Sequence, residues 1–526
     1  MDSCGERVLP PARSVRLDRE GAALRRDADG RLRVEAAPAL RAGLRELAGL
    51  DLFRLFLPVE QGGLGLPLGL FYLAVQRIAR QDAALALTAL VQANVTYCLS
   101  RYGSDEQRRR YLPRLAGGEL LGTVAYTEPQ AGSDAGAIRT RADEEFALHR
   151  GASEGREQGE LGGFRLSGSK CWITHGGDAD LLLTSARTGG AELGIGGVST
   201  FLVEREADGV EVVGLEDKTG LGGSPTAALD YPGIRIGAER LGGARGGGGA
   251  VMFSGIGITR VGIGAQALGI GERAFDAAVE FARQRRQGGC LIIEHALVQQ
   301  RLAGMTVALS AMENLICWAS LLESRGEWHV REMSVTKHYC TEALQRLTQR
   351  AIGLLGGYGC SRDYPVERCR REAVVLPLFG GTSEIQQWII TRELVETVRG
   401  AAHGDYRERD AATLAELQPR CEGSPRRAMW EQLDRARGEL WRAAERVARE
   451  AEPARFAHLL AEAAVGLEVA QVLLRQACGP DAGELEQALV EEAIAGLETR
   501  LFARCALIQA GRGGERLRER VRAALG

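Results

Sequence analysis

The 526-residue sequence predicts a mainly helical protein with one β-domain set into its first half and a helical appendage at its end. Three changes of texture carry that reading. Apolar residues recur at helical spacing from Ala37 to Leu120, short β-rich pieces alternate with turn residues from Gly122 to about Gly237, and helical periodicity returns from about Val251 to Arg399 and again beyond Gly404. The domain boundaries expected are 1–121 helical, 122–240 β, 241–400 helical and 401–526 helical extension.

In the first block GGLGLP (Gly62 to Pro67) breaks two helical runs, the second of which contains LAVQRIARQDAALALTALVQ. The β-domain reads as FRLSGSKCWIT, DLLLTSA, STFLVERE, GVEVVGLE and AALDYPGIRI, and its polar, glycine-containing stretch Asp143 to Gly163 reads as an exposed loop insertion. The glycine run GGARGGGGA (Gly242 to Ala250) reads as a flexible boundary. In the extension, Ser424-Pro425 starts a helix with Trp430, Leu433, Leu440, Trp441, Ala444 and Val447 on one face, and runs follow at about 453–477 and 483–507. The tail places Leu517, Val521 and Leu525 beneath Arg512, Arg516, Arg518, Arg520 and Arg522: a solvated terminal helix, with membrane-surface or partner binding as the alternative.

Composition narrows the function classes. With 66 basic against 69 acidic residues and a net charge of -3, the chain offers no electrostatic footprint for nucleic acid or an anionic membrane. The 11 cysteines are scattered, without a CxxC pair or a His/Cys cluster at metal-ligand spacing, so reduced thiols, no metal and a cytoplasmic compartment are expected. The N-terminus lacks the apolar run of a secretory signal, and its acidic residues argue against a transit peptide. The apolar run Asp82 to Cys98, interrupted by Thr88, Gln92, Asn94 and Thr96, reads as a buried helix and not as a membrane span.

Several short motifs carry less than they promise. Gly262-Ile-Gly264-Ala-Gln-Ala267 matches a dinucleotide-binding pattern but lies inside a helical run, where small residues permit close helix packing. SxxK occurs at Ser167–Lys170 and Ser334–Lys337 without the companion motifs of serine acyl transfer. His295 reads as a packing or capping residue.

Two segments carry chemistry. Ala125-Tyr126-Thr127-Glu128-Pro129-Gln130-Ala131-Gly132-Ser133-Asp134 is a strand end running into a Pro/Gly turn that frees amides and hydroxyls for a polar ring. Cys171-Trp172-Ile173-Thr174-His175-Gly176-Gly177 does the same beside a tryptophan able to cover an apolar ring face. With these the sequence resembles the acyl-CoA dehydrogenase family, whose TEPxAGSD and WITNG signatures match almost letter for letter. The likeness spans about residues 40 to 398 and includes GLGGSPTAAL (Gly220 to Leu229), Thr259-Arg260, LLGGYGCSRDYPVERCRRE (Leu354 to Glu372) and GTSEIQ (Gly381 to Gln386).

The resemblance implies a helical N-domain, a β-barrel-like middle domain and a four-helix C-domain, assembled as a homodimer or homotetramer. The segment after residue 400 looks like the extra domain of very-long-chain members. By resemblance Tyr126 and Thr127 meet the pyrimidine edge of FAD, Gly132 and Ser133 lie in the FAD-binding turn, and Trp172 and Thr174 flank the reactive flavin nitrogen. Ser133 and Arg260 face an acyl-CoA or acyl-carrier thioester, Arg285 reaches the FAD pyrophosphate of a neighbouring subunit, and Thr382 with Glu384 completes the site. Electron-transfer flavoprotein is the implied acceptor.

The sequence departs from the pattern where a base is needed. The carboxylate that removes the α-proton usually precedes GTSEIQ, where Gly380 stands, or precedes the helix-opening arginine, where Thr259 stands. Expected FAD contacts are also replaced by small residues, at Gly257, Gly288, Ala296 and Gly353. Two readings follow: a flavin-dependent dehydrogenase of acyl thioesters with a relocated base or altered reaction, or a catalytically silent subunit of a hetero-oligomer or scaffold.

Overall fold

The computed structural model describes residues 23–26, 32–35, 38–148, 159–327, 329–422, 424, 426–450, 453–478, 494 and 503–505. Most of the helical run expected at 483–507, and the whole arginine-lined tail, lie outside the described residues. The chain divides into two compact units, one up to Gly262 and the other from Ile263 onward.

The first unit opens with a hairpin of β1 (Ala23–Arg26) and β2 (Leu32–Glu35), which precedes the expected helical block. Helices α1 (Pro38–Gly49), α2 (Leu68–Gln81), α3 (Ala83–Tyr102) and α4 (Asp105–Ala116) follow. Local chemistry fixes their starts. The Asp82 carboxylate accepts the Ala84 and Leu85 amides at 2.8 and 3.0 Å, and Ser104 with Gln107 forms a reciprocal capping box at the start of α4. The Gln107 amide also donates to the carbonyls of Glu239 and Leu241 at 2.7 and 2.9 Å, tying α4 to the far end of the β-domain.

That β-domain is an eight-stranded sheet. It comprises β3 (Gly122–Ala125), β4 (Arg141–Leu148), β5 (Gly159–Thr174), β6 (Leu181–Arg187), β7 (Val198–Glu204), β8 (Glu211–Leu215), β9 (Thr226–Gly237) and β10 (Leu241–Gly242). The strands run β10-β7-β6-β4-β5-β9-β8, and β3 pairs parallel with β6. Inward-facing Phe164 and Phe201 meet edge to face at 4.9 Å in its core.

Two expectations for this unit are corrected. The stretch 143–163 is not a loop insertion over its described parts: 143–148 and 159–163 are the paired arms of a long hairpin, Leu148 opposite Gly159. The glycine run 242–250 is not a flexible boundary. A Cβ at Gly246 would lie 2.7 Å from the Gly196 carbonyl and one at Gly248 would lie 2.7 Å from that of Val198, so the missing side chains let this segment press onto the end of β7.

Helix α5 (Gly248–Gln284) contributes its first part to this unit and the remainder to the second. The GxGxxA motif lies inside it and serves packing: a Cβ at Gly262 would sit 2.2 Å from Leu90, and one at Gly264 would sit 3.1 Å from Thr336. The second unit continues with a short hairpin, β11 (Arg286–Gln287) and β12 (Cys290–Leu291). It then carries α6 (Ala296–Ser324), α7 (Val330–Leu355), α8 (Pro365–Val375) and α9 (Ser383–Val398).

The extension forms α10 (Tyr406–Cys421), α11 (Arg426–Ala448) and α12 (Ala457–Ala477). Ser424 Oγ accepts the Arg426 amide at the expected helix start, and Leu433, Leu440, Trp441, Ala444 and Val447 are buried as the spacing predicts. Its core is continuous with that of α6, α7 and α9 through Leu315, Val335, Ile390 and Leu394. Buried Arg331 fixes this junction, bonding Asp410 through both terminal nitrogens at 2.6 and 3.1 Å and reaching Glu332 at 3.0 Å and Glu468 at 3.3 Å. By length and composition α3, α5, α6 and α12 could each cross a membrane, which the broken run at Asp82 to Cys98 did not suggest; 89% of the most apolar window of α3 is buried in protein.

Candidate active site

The two motif segments lie side by side because one buried ion pair holds them. Lys170 Nζ, on β5, bonds Glu128 Oε1 at 2.7 Å, and both side chains are almost wholly buried. The same ammonium donates to the Tyr126 carbonyl and to Ser185 Oγ, each at 3.1 Å. Glu128 accepts the backbone amides of Arg139 and Thr140 at 2.7 and 3.0 Å, and the Cys171 amide donates to the Thr127 carbonyl at 3.0 Å. Burial works against a charged Glu128, yet Lys170 and these amides hold its carboxyl below the usual range. Burial pulls the Lys170 ammonium down to about 8, with Glu128 opposing. Sequence reasoning met Lys170 only as part of a discounted SxxK motif; the signal that could have found it is the buried acid of TEP, which requires a cation.

The next residue after this clamp is bulged out. The β5–β9 register runs from Lys170 opposite Leu229 to Ile173 opposite Ala227, so Cys171 and Trp172 interrupt the ladder. Trp172 sits at φ 58°, rare for so large a side chain, and is 58% exposed. The bulge thus presents a flat apolar ring to solvent beside the TEP turn. Thr174 ends β5, its carbonyl taking the Thr123 hydroxyl.

His175, also left-handed at φ 59°, is buried beneath this segment. Its Nε2 lies 2.9 Å from Thr88 Oγ1 and 3.3 Å from Ser224 Oγ, and its Nδ1 lies 3.6 Å from Asp178 Oδ1. Serine, histidine and aspartate meet here, but all three are sealed from solvent, so the cluster supports the Trp172 segment and does not attack a substrate.

The other candidates in this unit lie in the turn or on α5. Gly132 and Ser133 are exposed within it, and Arg260 is buried on α5. The Tyr126 hydroxyl is buried without a hydrogen-bond partner among the described residues, and burial pushes its phenol well above the usual range. A buried donor left unpaired costs stability, so this hydroxyl is suited to a ligand acceptor. Thr259 is engaged structurally: its hydroxyl donates to the Gly255 carbonyl at 2.8 Å and accepts from Asn94 Nδ2 at 2.9 Å.

In the second unit, Thr382 caps α9 by accepting the Ile385 amide at 3.4 Å. Glu384 lies exposed in the first turn, where its own amide and the Thr382 hydroxyl hold its carboxyl below the usual range. Gly380 and Gly381 take φ 67° and 90°. Buried Lys337 donates to the carbonyls of Pro377 and Gly381, and Gln386 Nε2 donates to those of Gly380 and Gly381 at 3.1 and 2.9 Å. A Cβ at Gly380 would stand 2.7 Å from Ile263 Cδ1. The movable end of the Ile263 side chain therefore lies against Gly380.

Arg285 follows α5, its guanidinium 5.8 Å from the Tyr358 ring centre. Beyond it Gly288 and Gly289, at φ 63° and 88°, make the two-residue turn between β11 and β12. An aromatic at Gly288 would be strained there, and the His295 ring lies 3.4 Å from where its Cβ would be. His295 Nε2 is also 3.1 Å from the Gln287 carbonyl, the packing role expected of it. Ala296 and Gly353, two other small replacements, line one cavity of about 530 Å3 with Gln287, His295, Arg301 and Leu354.

Comparison with known proteins matches these units in order. Residues 18–119, 123–232 and 246–395 match the N-terminal, middle and C-terminal domains of acyl-CoA dehydrogenase. An acyl-CoA dehydrogenase of Bacillus subtilis is 36% identical over 339 residues, 64% of this chain and 85% of its own. The FAD complex of PigA superposes with TM-score 0.61 at 25% identity, covering 67% of this chain and 88% of its own. An acyl-CoA dehydrogenase from Bacillus anthracis complexed with FAD shares the fold over 92% of this chain and 85% of its own, extension included, with TM-score 0.77 at 24% identity. With its three domains matched in sequence and its motif turns in place, the chain belongs to the acyl-CoA dehydrogenase family.

Proposed function

We propose that the chain is an FAD-dependent oxidoreductase that dehydrogenates an acyl-CoA or acyl-carrier thioester between its α and β carbons, with proton removal moved away from both usual carboxylate positions. The observation that carries this is the bulged Trp172 beside the clamped TEP turn, since a half-exposed indole in a left-handed conformation is costly unless a ligand uses it. The unpaired Tyr126 hydroxyl fits the same group, and the relative complexed with FAD supports its identity.

When bound, FAD supplies the hydride acceptor. Tyr126 and Thr127 would hold its pyrimidine edge, Gly132 and Ser133 would form its binding turn, Trp172 and Thr174 would flank its reactive nitrogen, and Thr382 with Glu384 would bind it from the second unit. Fixed hydroxyl and amide donors favour negative charge before it develops. Ser133 and Arg260 would orient the thioester, and Arg285 would hold the pyrophosphate of a neighbouring subunit's FAD in a homodimer or homotetramer. The helical extension supports a very-long-chain-like member that delivers electrons to an electron-transfer flavoprotein in the cytoplasm. Neither Thr259 nor Gly380 offers a carboxylate, so the α-proton leaves to another group or leaves slowly.

A second reading, a silent subunit of a hetero-oligomer or scaffold, is favoured by Ile263 filling the space of the base. Anaerobic addition of acyl-CoAs of graded chain length, and of acyl-carrier thioesters, to FAD-loaded protein separates the two. Bleaching of the flavin band is expected. A flavin-loaded protein that no thioester bleaches would favour the silent subunit.

A further inference from the structure

The extension holds a thiol pair that plays no part in the flavin site. Cys421 closes α10, and Cys478 caps the end of α12, with its amide donating to the Leu474 carbonyl at 3.0 Å. Their sulfurs lie 3.4 Å apart across 57 residues of sequence. This is the one thiol–thiol contact among the described residues; Cys98, Cys340 and Cys369 face carbonyl, amide or guanidinium groups instead. Both residues stand at helix ends, where the backbone can yield, and bonding needs the sulfurs to close to about 2.05 Å. The two thiols differ in access: Cys421 is buried and Cys478 is half-buried.

We propose that Cys421 and Cys478 are an oxidation site, at which a hydroperoxide converts the two thiols into a disulfide that staples the end of α10 to the end of α12. The Cys478 thiolate attacks one peroxide oxygen and the O–O bond breaks, releasing water and leaving a sulfenic acid. The Cys421 sulfur then attacks that sulfur and a second water leaves. Two thiols and one hydrogen peroxide give one disulfide and two waters, with the sulfurs oxidised and the peroxide reduced. Burial and the neighbouring Cys478 thiol push the Cys421 thiol up to about 12, so the more accessible Cys478 takes the first step and Cys421 attacks only once the sulfenic acid stands beside it. The bond closes a long loop through α11, so it restrains the unfolded chain far more than the folded one.

The test uses the full-length protein, reduced and then treated with equimolar hydrogen peroxide, alkylated, and digested without reductant. The expected result is one cross-linked peptide pair joining Cys421 to Cys478, and a thermal midpoint raised by about 5 °C that reductant reverses. Cys421→Ser is expected to abolish both and to leave Cys478 as a sulfenic or sulfinic acid. Recovery of alkylated Cys421 beside over-oxidised Cys478 in the unsubstituted protein would overturn the proposal, as would a cross-link of either residue to Cys505.

Discussion

The β-domain and the loop before α9 use their polar groups differently. In the β-domain, Glu128 and Lys170 are buried, paired and bonded to three backbone groups, and beside them stand the exposed Trp172 ring and a buried Tyr126 hydroxyl without a hydrogen-bond partner among the described residues. Around Gly380, Lys337 and Gln386 Nε2 bind loop carbonyls, Gln386 Oε1 is buried without a hydrogen-bond partner among the described residues, and the end of the Ile263 side chain lies against Gly380. The Glu128–Lys170 pair is enclosed and bonded to backbone groups of its own domain, whereas the loop at Gly380 is held by side chains that reach its carbonyls from α7 and α9.

The largest break in this contrast comes from removing the clamp. Lys170→Met leaves the Glu128 carboxylate buried and short of its cation, at an expected cost of about 3–5 kcal/mol in chemical denaturation. Glu128→Gln added to that variant should restore part of the loss, because no uncompensated charge remains. Lost stability in Lys170→Met with retained FAD binding would show that the clamp holds the fold but not the ligand segments.

Restoring the base tests the other side. Gly380→Glu alone meets Ile263 and a left-handed backbone, so little gain is expected from it. Gly380→Glu with Ile263→Ala removes the side-chain contact and keeps the backbone strain, so acyl-CoA dehydrogenation should rise toward the lower end of the range of about a hundred- to ten-thousand-fold. An unchanged rate in the flavin-loaded double variant would mean that the pocket no longer accepts this class of substrate.

The junction with the extension should respond to pH. Burial raises Glu468 from 4.5 to about 7, with Glu332 and Asp410 adding to the effect and Arg331 opposing it. A carboxyl whose folded value is raised stabilises most below its unfolded value, so stability should fall by up to about 3 kcal/mol as pH rises from 4.5 to 7. Glu468→Gln should flatten that slope. The smallest effect expected is at the cavity beside His295. Ala296→Gln with Gly353→Gln restores two amides, each worth about 1 kcal/mol if bonded, and should tighten FAD binding about fivefold or more in equilibrium titration.

How far the sequence revealed this molecule depends on the range of the contacts involved. The order of helical and β blocks, and the start of α11 at Ser424, follow from periodicity and capping, which are local. The motif turns were legible for the same reason. What escaped was set by distant partners: Lys170 meeting Glu128 across 42 residues, Ile263 facing Gly380, and β7 receiving the glycine run that composition marks as flexible. The hairpin arms at 143–163 were hidden by their polarity, since outward-facing pairs such as Arg165 with Glu145 give a strand the composition of a loop.

The central claim is that the clamped β-domain still binds flavin although neither Thr259 nor Gly380 supplies a carboxylate. The direct measurement is the visible absorbance spectrum of the purified protein, before and after incubation with FAD and removal of the excess. A protein-bound flavin spectrum, weakened in Tyr126→Phe and in Trp172→Ala, is the expected result. A colourless protein that also refuses added FAD would contradict the account.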